Sequence, residues 1–208
     1  MKAISLLSSG IDSPVATYVL SSYVDEMIVM HADARPFTDD AEIAHFQSIA
    51  SHLSSLMSTS IRSCLVPHGD SLRAYNRLGA HPRFICVFCK RMMVRYAEAL
   101  AQKLHGDCII MGDSLGQVAS QTLANLSVVD KVSSLPILRP LIGFDKEEIV
   151  NIAKKIGTYD LSIRKTQGCI AVPDKPATQA RIEQLLAIEG DMNIQDLIET
   201  AINNISYV

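Results

Sequence analysis

The chain has 208 residues, 48% of them hydrophobic and 20% charged, as expected for a folded domain with a substantial buried core. Its formal net charge of −3 lacks the basic excess of a domain that holds a nucleic acid unaided. The N-terminal apolar run is too short for a signal peptide and no stretch reaches membrane-spanning length, so we expect a cytoplasmic protein with no membrane partner.

Short apolar segments alternate with amphipathic segments along the chain. The predicted strands, which are short and apolar, are residues 2–7, 27–31, 61–66 and 107–111. Between them, apolar residues form helical stripes at 39–58 and 93–104. This alternation predicts an α/β fold with a doubly wound, mostly parallel sheet, in which ligands bind beyond the carboxyl ends of the strands.

The stretch SSGIDSPVA, residues 8–16, follows the first predicted strand. Gly10 permits a tight turn with close backbone approach. Asp12 or Ser13 is a candidate cap for the next helix, and Pro14 suits its first turn. Backbone N–H groups and hydroxyls at such a helix terminus form an anion site. A capped turn without a ligand is the alternative interpretation.

Residues 111–126 place a second polar segment at the same edge of the predicted sheet. Gly112 ends a strand, and Asp113 and Ser114 are candidate caps for a following helix. The polar side chains predicted along one side of that helix are Gln117, Ser120 and Gln121. We interpret the segment as a ligand contact, with an exposed helix as the alternative.

The five cysteines fall into two groups. Cys86 and Cys89 form a C-x₂-C pair whose spacing lets both thiolates reach one metal. The neighbouring Lys90 and Arg91 favour the thiolate forms. Cys169 follows far along the chain in QGCIAVP. The remaining two, expected to be small core residues, are Cys64 and Cys108.

Several segments resemble known families. SSGIDS resembles the SGGxDS PP-loop of the adenine nucleotide alpha hydrolase-like ATP pyrophosphatases, with Ser9 in place of the first glycine. The blocks at 111–126, 139–150 and 156–163 resemble the tRNA 4-thiouridine synthetase family, which is also linked to the thiazole of thiamine biosynthesis; that family has glutamate where Asp113 stands. HADARPFTDDA and KRMMVRYAEALA extend the resemblance over almost the whole chain.

The resemblance implies an ATP-dependent tRNA sulfurtransferase. Such an enzyme adenylates a uridine, releases pyrophosphate and replaces the uridine oxygen with sulfur to give 4-thiouridine. It implies ATP and Mg²⁺ as cofactors and catalytic roles for Asp12, Lys146 and Cys169, although Lys146 also suits a solvated helix start. The implied nucleotide-binding residues are Ser8, Gly10, Asp12, Ser13, His31, Gly112, Asp113, Ser114, Gln117 and Gln121.

The resemblance also gives the three cysteines outside the core a role. Relatives with a C-x₂-C pair are associated with an iron–sulfur cluster on three cysteines, which implies a cluster on Cys86, Cys89 and Cys169. One alternative is a Cys86–Cys89 redox disulfide with a persulfide on Cys169. Another is a structural zinc ion with solvent or a histidine as fourth ligand. Apart from His31, the histidines, His68 included, are expected to be surface or capping residues.

Domain organisation and partners complete the expectations. We expect a PP-loop domain over 1–175 and a C-terminal appendage of two amphipathic helices over 176–208, packed on the same domain. With neither a THUMP nor a rhodanese region, this stand-alone catalytic domain would bind tRNA through a separate RNA-binding subunit or a dimer. Its sulfur would come from a donor protein or sulfide. The basic stretch 73–95 is a candidate phosphate contact or a solvated face.

Two other functions fit the same residues. One is adenylation and thiolation of a small molecule or a sulfur-carrier protein. The other is a non-catalytic adenine-nucleotide-binding subunit of a tRNA-modification complex, in which Ser9 marks a loop that has lost its activity.

Overall fold

The computed structural model describes residues 1–208 and places six strands in a single sheet. The strands are β1 (Lys2–Leu6), β2 (Glu26–Asp33), β3 (Ser60–Pro67), β4 (Cys108–Ile110), β5 (Ile137–Leu138) and β6 (Ser206–Tyr207). Their order is β5-β4-β1-β2-β3-β6, and every pair is parallel except β3 with β6. The four predicted strands are confirmed. The two-residue strands β5 and β6 are too short to leave a periodic signal.

Nine helices flank the sheet. They are α1 (Asp12–Ser21), α2 (Asp40–Leu56), α3 (Gly69–Arg77), α4 (Ile85–Leu104), α5 (Leu123–Asp130), α6 (Lys146–Lys155), α7 (Tyr159–Ser162), α8 (Ile182–Gly190) and α9 (Ile194–Asn203). Short 3₁₀ turns occur at Pro82–Phe84 and Ala119–Gln121. None of the helices is both long and apolar enough to pass through a bilayer.

The sheet separates two apolar cores, as the alternation of strand side chains requires. Ile4 and Ile28 face the core shared with α3, α4, α5, α8 and α9. Ala3 and Met27 face the core shared with α1, α2 and α6. The doubly wound α/β fold is therefore confirmed. Cys64 and Cys108 are buried in these cores, also as predicted.

The last thirty residues fold back onto α4. Glu189 in α8 bonds Arg91 and Arg95 of α4, and Leu185 and Ala201 join the α4 side of the core. The two predicted C-terminal helices are confirmed as α8 and α9, with a short connection between Gly190 and Ile194. The boundary between 1–175 and 176–208 stays a prediction.

Candidate active site

The loop between β1 and α1 turns at the carboxyl edge of the sheet. The Ser13 hydroxyl accepts a hydrogen bond from the Ser8 backbone N–H at 2.8 Å and lies 2.9 Å from the Ser8 hydroxyl. The Gly10 N–H donates to the same Ser8 hydroxyl at 3.2 Å. These bonds hold the loop in a tight turn in front of the α1 N-terminus, where backbone N–H groups attract anions.

The predicted helix cap is wrong. Helix α1 begins at Asp12, and Ile11 at the N-cap position supplies no side-chain bond. The Ser13 hydroxyl is engaged with Ser8, and the Asp12 carboxylate accepts a bond from Lys146, so neither side chain caps the helix. The N–H groups at the helix start are thus left without a side-chain cap, which suits a site for an anionic ligand.

Ser9, Gly10 and Gly112 show how tightly the β1–α1 loop packs against its neighbours. The Ser9 hydroxyl donates to Glu42 Oε1 on α2 at 2.6 Å, so its side chain leads away from the turn. A Cβ at Gly10 would come no closer than 3.4 Å to another atom, whereas a Cβ at Gly112 would lie 2.6 Å from Ser13 Cα. The structure thus adds a close contact between the backbones at Gly112 and Ser13.

Lys146 brings α6 to the loop. Its Nζ donates to Asp12 Oδ1 at 2.6 Å across 134 residues of sequence. Asp145 fixes this helix start by accepting a bond from the Glu148 N–H, and Glu148 bonds back to the Asp145 N–H. Because the Lys146 side chain is half exposed, its cation faces both the loop and solvent.

Asp113 is the centre of a buried charge group. Its carboxylate accepts bonds from Lys90 Nζ at 2.5 Å and Arg139 Nε at 2.9 Å, and Arg139 also pairs with Asp130. Burial acts to raise the pKa of Asp113, but the charges and hydrogen bonds of Lys90 and Arg139 hold it below its usual value. Two cations therefore balance two carboxylates beneath the site.

The helix predicted directly after Asp113 is wrong. Gly116 has a positive φ of 76° and its N–H bonds the Gln121 carbonyl, which forms a loop here. The Ser114 hydroxyl donates to the Phe144 carbonyl at 2.8 Å instead of capping. Helix α5 starts only at Leu123, with the Thr122 side chain as its cap.

Two cavities meet at Asp12. The central cavity, of about 360 Å³, contains most of the predicted nucleotide-binding residues: Ser8, Gly10, Asp12, Ser13, His31, Gly112, Asp113 and Gln121. The adjoining cavity, of about 800 Å³, contains Asp12, Gln117 and Lys146. Ser114 lines neither cavity. The structure thus brings together all but one of the residues predicted to contact the nucleotide.

His31 forms part of the wall of the central cavity. Its Nδ1–H donates to the Leu7 carbonyl at 2.9 Å, and its ring stacks on Phe46 with centroids 4.8 Å apart. Burial lowers the pKa of His31, so the ring is neutral. Its Nε2 is buried without a protein partner, which leaves one hydrogen-bonding atom for a ligand.

Sequence reasoning missed several residues of the central cavity. Glu42, Met93 and Lys90 line it, and Arg139 supports it through Asp113. The sequence predicts for Lys90 an effect on the neighbouring thiols and a place in the basic stretch 73–95, but no position in this cavity. The presence of Arg139 in the block RPLIGFDKEEIV, which also contains Lys146, was the one available signal for its role.

The C-x₂-C pair lies in the first turns of α4, and Cys169 approaches it from the loop after α7. Burial and the negative charge of Cys169 raise the pKa of Cys86. The same causes, with the charge of Cys86, raise the pKa of Cys89 to about 12. The predicted trio therefore shares one region. However, no set of three His, Cys, Asp or Glu side chains is arranged to hold a metal ion.

The Cys169 loop is fastened at several points. The Ile170 N–H donates to the Phe37 carbonyl at 2.9 Å, and the Gln167 N–H donates to Asp39 at 3.1 Å. Further along, the Ala177 N–H donates to the Arg83 carbonyl at 2.8 Å. These bonds hold Cys169 against the segments that flank the central cavity.

His68 is not the surface or capping residue that we expected. It is 1% exposed, and its Nε2 lies 3.1 Å from Cys89 Sγ. Its Nδ1 lies 3.3 Å from the Tyr96 hydroxyl, which in turn lies 2.6 Å from Ser71 Oγ. Burial lowers the pKa of His68 to about 4. Only its position at the end of a predicted strand hinted at burial.

The basic stretch 73–95 is less available than predicted. Arg91 is 1% exposed and, with Arg95, binds both oxygens of Glu189. Arg91 also donates to the Val128 carbonyl, so it faces away from the thiols that it was expected to activate. Arg77 and Arg83 remain exposed at the surface.

Comparison with known proteins identifies the family. The chain belongs to the family of thiamine biosynthesis protein (ThiI), whose model matches residues 1–194. It is 39% identical to a probable tRNA sulfurtransferase of Methanothermobacter thermautotrophicus, covering 94% of this chain and 50% of that protein. A Thermus thermophilus protein of the same name is 38% identical, covering 97% and 50%. The chain spans about half the length of these curated relatives.

Solved structures agree with this assignment. A crystal structure of a 4-thiouridine synthetase–RNA complex with bound ATP matches 100% of this chain and 54% of that chain, with a TM-score of 0.94 and 31% identity. NMN synthetase from Francisella tularensis matches 97% of this chain and 83% of its own, with a TM-score of 0.56 and 13% identity. The second likeness concerns the fold alone.

Proposed function

We propose that this chain is the catalytic part of an ATP-dependent tRNA sulfurtransferase that converts a uridine to 4-thiouridine. The observation that carries the proposal is the pairing of Lys146 with Asp12 at the serine-rich loop, within a chain of this family. A cation, uncapped helix N–H groups and hydroxyls converge there, as required to bind a leaving pyrophosphate.

The first step would be adenylation of the uridine. The uridine oxygen attacks the α-phosphate of ATP, the bond to the β-phosphate breaks, and pyrophosphate leaves into the loop formed by Ser8, Gly10 and Ser13. Lys146 balances the negative charge that develops on the leaving group, and the loop fixes the geometry of attack. The unpartnered Nε2 of His31 supports contact with the nucleoside part of ATP.

Magnesium would assist this step at Asp12. Carboxylate oxygens are the ligands that Mg²⁺ prefers, and Mg²⁺ sites commonly combine one or two carboxylates with substrate phosphates. Asp12 is the carboxylate that lines both cavities. Asp113 is already occupied by two cations. Bound there, the metal ion would supply positive charge to the phosphates.

Sulfur would reach the adenylated uridine from the three thiols. An iron–sulfur cluster on Cys86, Cys89 and Cys169 is our prediction from the family resemblance, but these side chains are not arranged to hold a metal ion. The alternative is a persulfide on Cys169, which needs no metal. The terminal sulfur of a Cys169 persulfide bonds to C4 while AMP leaves with the electron pair. The Cys86 thiol then attacks the Cys169 sulfur and displaces the thiolated base. This leaves a Cys86–Cys169 disulfide, which an external thiol reduces.

The tRNA substrate and the sulfur donor are further parts of this proposal. The exposed Arg77 and Arg83 offer positive charge for tRNA phosphates, aided by a separate RNA-binding subunit or a dimer. A donor protein would supply the outer sulfur of the Cys169 persulfide, whereas free sulfide would attack C4 of the adenylated uridine directly, without a persulfide. The family description names thiamine biosynthesis, which favours a small molecule or a sulfur-carrier protein as a second acceptor.

Pyrophosphate release tests the proposal. Wild-type protein is incubated with ATP and Mg²⁺ alone, with unmodified tRNA, or with a sulfur-carrier protein. The rate of pyrophosphate release is compared among the three reactions. We expect tRNA to stimulate release. Release stimulated only by the carrier protein would support the second acceptor, and nucleotide binding without release would support the non-catalytic subunit.

A further inference from the structure

Lys90 occupies the wall between the nucleotide cavity and the thiols. It follows Cys89 directly in α4, its side chain is 16% exposed, and it lines the central cavity beside Ser8 and Gly10. Its Nζ donates to Asp113 Oδ1 at 2.5 Å. The ammonium group is thus held at the border of two regions that the proposed reaction must connect.

Asp113 forms an ion pair with Lys90 but does not fully neutralise the positive charge of Lys90. Arg139 also bonds Asp113, through the other carboxylate oxygen, so this carboxylate is neutralised in part from the opposite side. An ammonium group has three N–H donors, and one of them is engaged here. Lys90 therefore keeps donors for an anion that enters the central cavity.

Lys90 also borders the thiol side, because it follows Cys89 directly in α4. Lys146, by contrast, lies with Asp12 at the adjoining cavity. The two lysines thus stand at different cavities, each anchored by its own aspartate.

We propose that Lys90 is the catalytic cation of the sulfur-transfer step, with Asp113 as its positioning residue. The inference rests on the proposed function. With hydrosulfide as donor, its sulfur bonds to C4 of the adenylated uridine, the C4–O bond breaks, and AMP leaves with the electron pair; the sulfur proton passes to water. Lys90 stabilises the negative charge on the incoming sulfur and on the AMP phosphate, while Lys146 serves the departure of pyrophosphate.

The two steps are measured separately on the full chain. A burst of pyrophosphate with ATP and tRNA, without sulfide, reports adenylation. Addition of sulfide and mass spectrometry of the nucleosides report 4-thiouridine. We expect Lys90→Gln to keep its burst rate within about threefold and to lose about 100-fold in thiolation rate, the magnitude typical of one electrostatic group. Lys90→Arg should recover most of the thiolation rate.

Two further variants complete the test. Asp113→Asn keeps the side-chain volume but weakens the anchor, and should also slow thiolation more than adenylation. Lys155→Gln, an exposed lysine at the end of α6, is the matched control and should change neither rate. If Lys90→Gln lowers the rates of both steps equally, or lowers neither rate, the inference about Lys90 is overturned and the proposed function is not. A wild-type protein that releases pyrophosphate without forming 4-thiouridine would overturn the proposed function and this inference with it.

Discussion

Lys146 Nζ lies 2.6 Å from Asp12 Oδ1, which joins the start of α6 to the start of α1. Removal of this cation should leave pyrophosphate without its counter-charge. We predict that Lys146→Ala lowers tRNA-stimulated pyrophosphate release by about 100-fold. Because the side chain is half exposed, the melting temperature should hardly change. Lys155→Ala is the control, and an unaffected rate in Lys146→Ala would refute the assignment.

Gly112 provides a test of the backbone contact. A Cβ at this position would lie 2.6 Å from Ser13 Cα and 2.7 Å from Ser13 N, so Gly112→Ala must displace the α1 N-terminus. We predict a loss of about 1–3 kcal/mol in the free energy of unfolding and weaker ATP binding. Gly190→Ala, at the end of α8 and outside both cavities, is matched, because its Cβ would meet nothing within 4 Å. Thermal unfolding and ATP titration measure the two effects; equal behaviour of the variants would contradict the contact.

Glu189 connects α8 to the helix that carries the thiols. Burial acts to raise its pKa, but hydrogen bonds and charges from Arg91 and Arg95 hold the pKa below its usual value. The carboxylate therefore stabilises the fold above the ordinary glutamate pKa, and this stability is lost as pH falls through the lowered value. We predict that Glu189→Gln costs about 3 kcal/mol at neutral pH, because two arginines lose their partner.

Denaturant unfolding between neutral and acid pH measures this effect. The difference in unfolding free energy between wild type and Glu189→Gln should shrink below about pH 4, near and below the ordinary glutamate pKa. Glu183→Gln, on an exposed position of the same helix, should follow the wild-type curve. A difference that stays constant with pH would show that the ion pair does not carry the stability.

Replacement of Cys169 helps to distinguish sulfur transfer from a persulfide from sulfur transfer by an iron–sulfur cluster. We predict that Cys169→Ala retains pyrophosphate release and loses thiolation with a low-molecular-weight persulfide as donor, since the sulfur-carrying thiol is gone. Cys108→Ala, at a buried strand thiol, should keep both activities. Iron and sulfide analysis after anaerobic purification complements the test. Iron bound by wild type and absent from Cys169→Ala would favour the cluster over the persulfide.

Much of the fold and site follows from local sequence patterns. Apolar strand periodicity predicts the four central strands, and SSGIDS at the end of β1 locates the loop at the carboxyl edge. The resemblance of these motifs to a known family predicts that Asp12 and Lys146 belong to one site. Chain segments that repeat a strong pattern are predictable for this reason.

Other features depend on contacts between distant residues and could not be predicted. Asp113 resembles a helix cap in sequence, but Lys90 and Arg139 determine its role. Arg91 reads as part of a basic surface until Glu189, 98 residues away, buries it. His68 likewise acquires its place from Tyr96 and Cys89 on a neighbouring helix. Tertiary pairing decides such residues, and no local spacing records it.

The most direct test of the central claim is nucleoside mass spectrometry of unmodified tRNA after incubation with the wild-type chain, ATP, Mg²⁺ and sulfide. The account predicts 4-thiouridine in an amount matched by the pyrophosphate released, and about 100-fold slower formation of both products with Lys146→Ala. Pyrophosphate released without any thiolated nucleoside, or 4-thiouridine formed equally by Lys146→Ala, would contradict it.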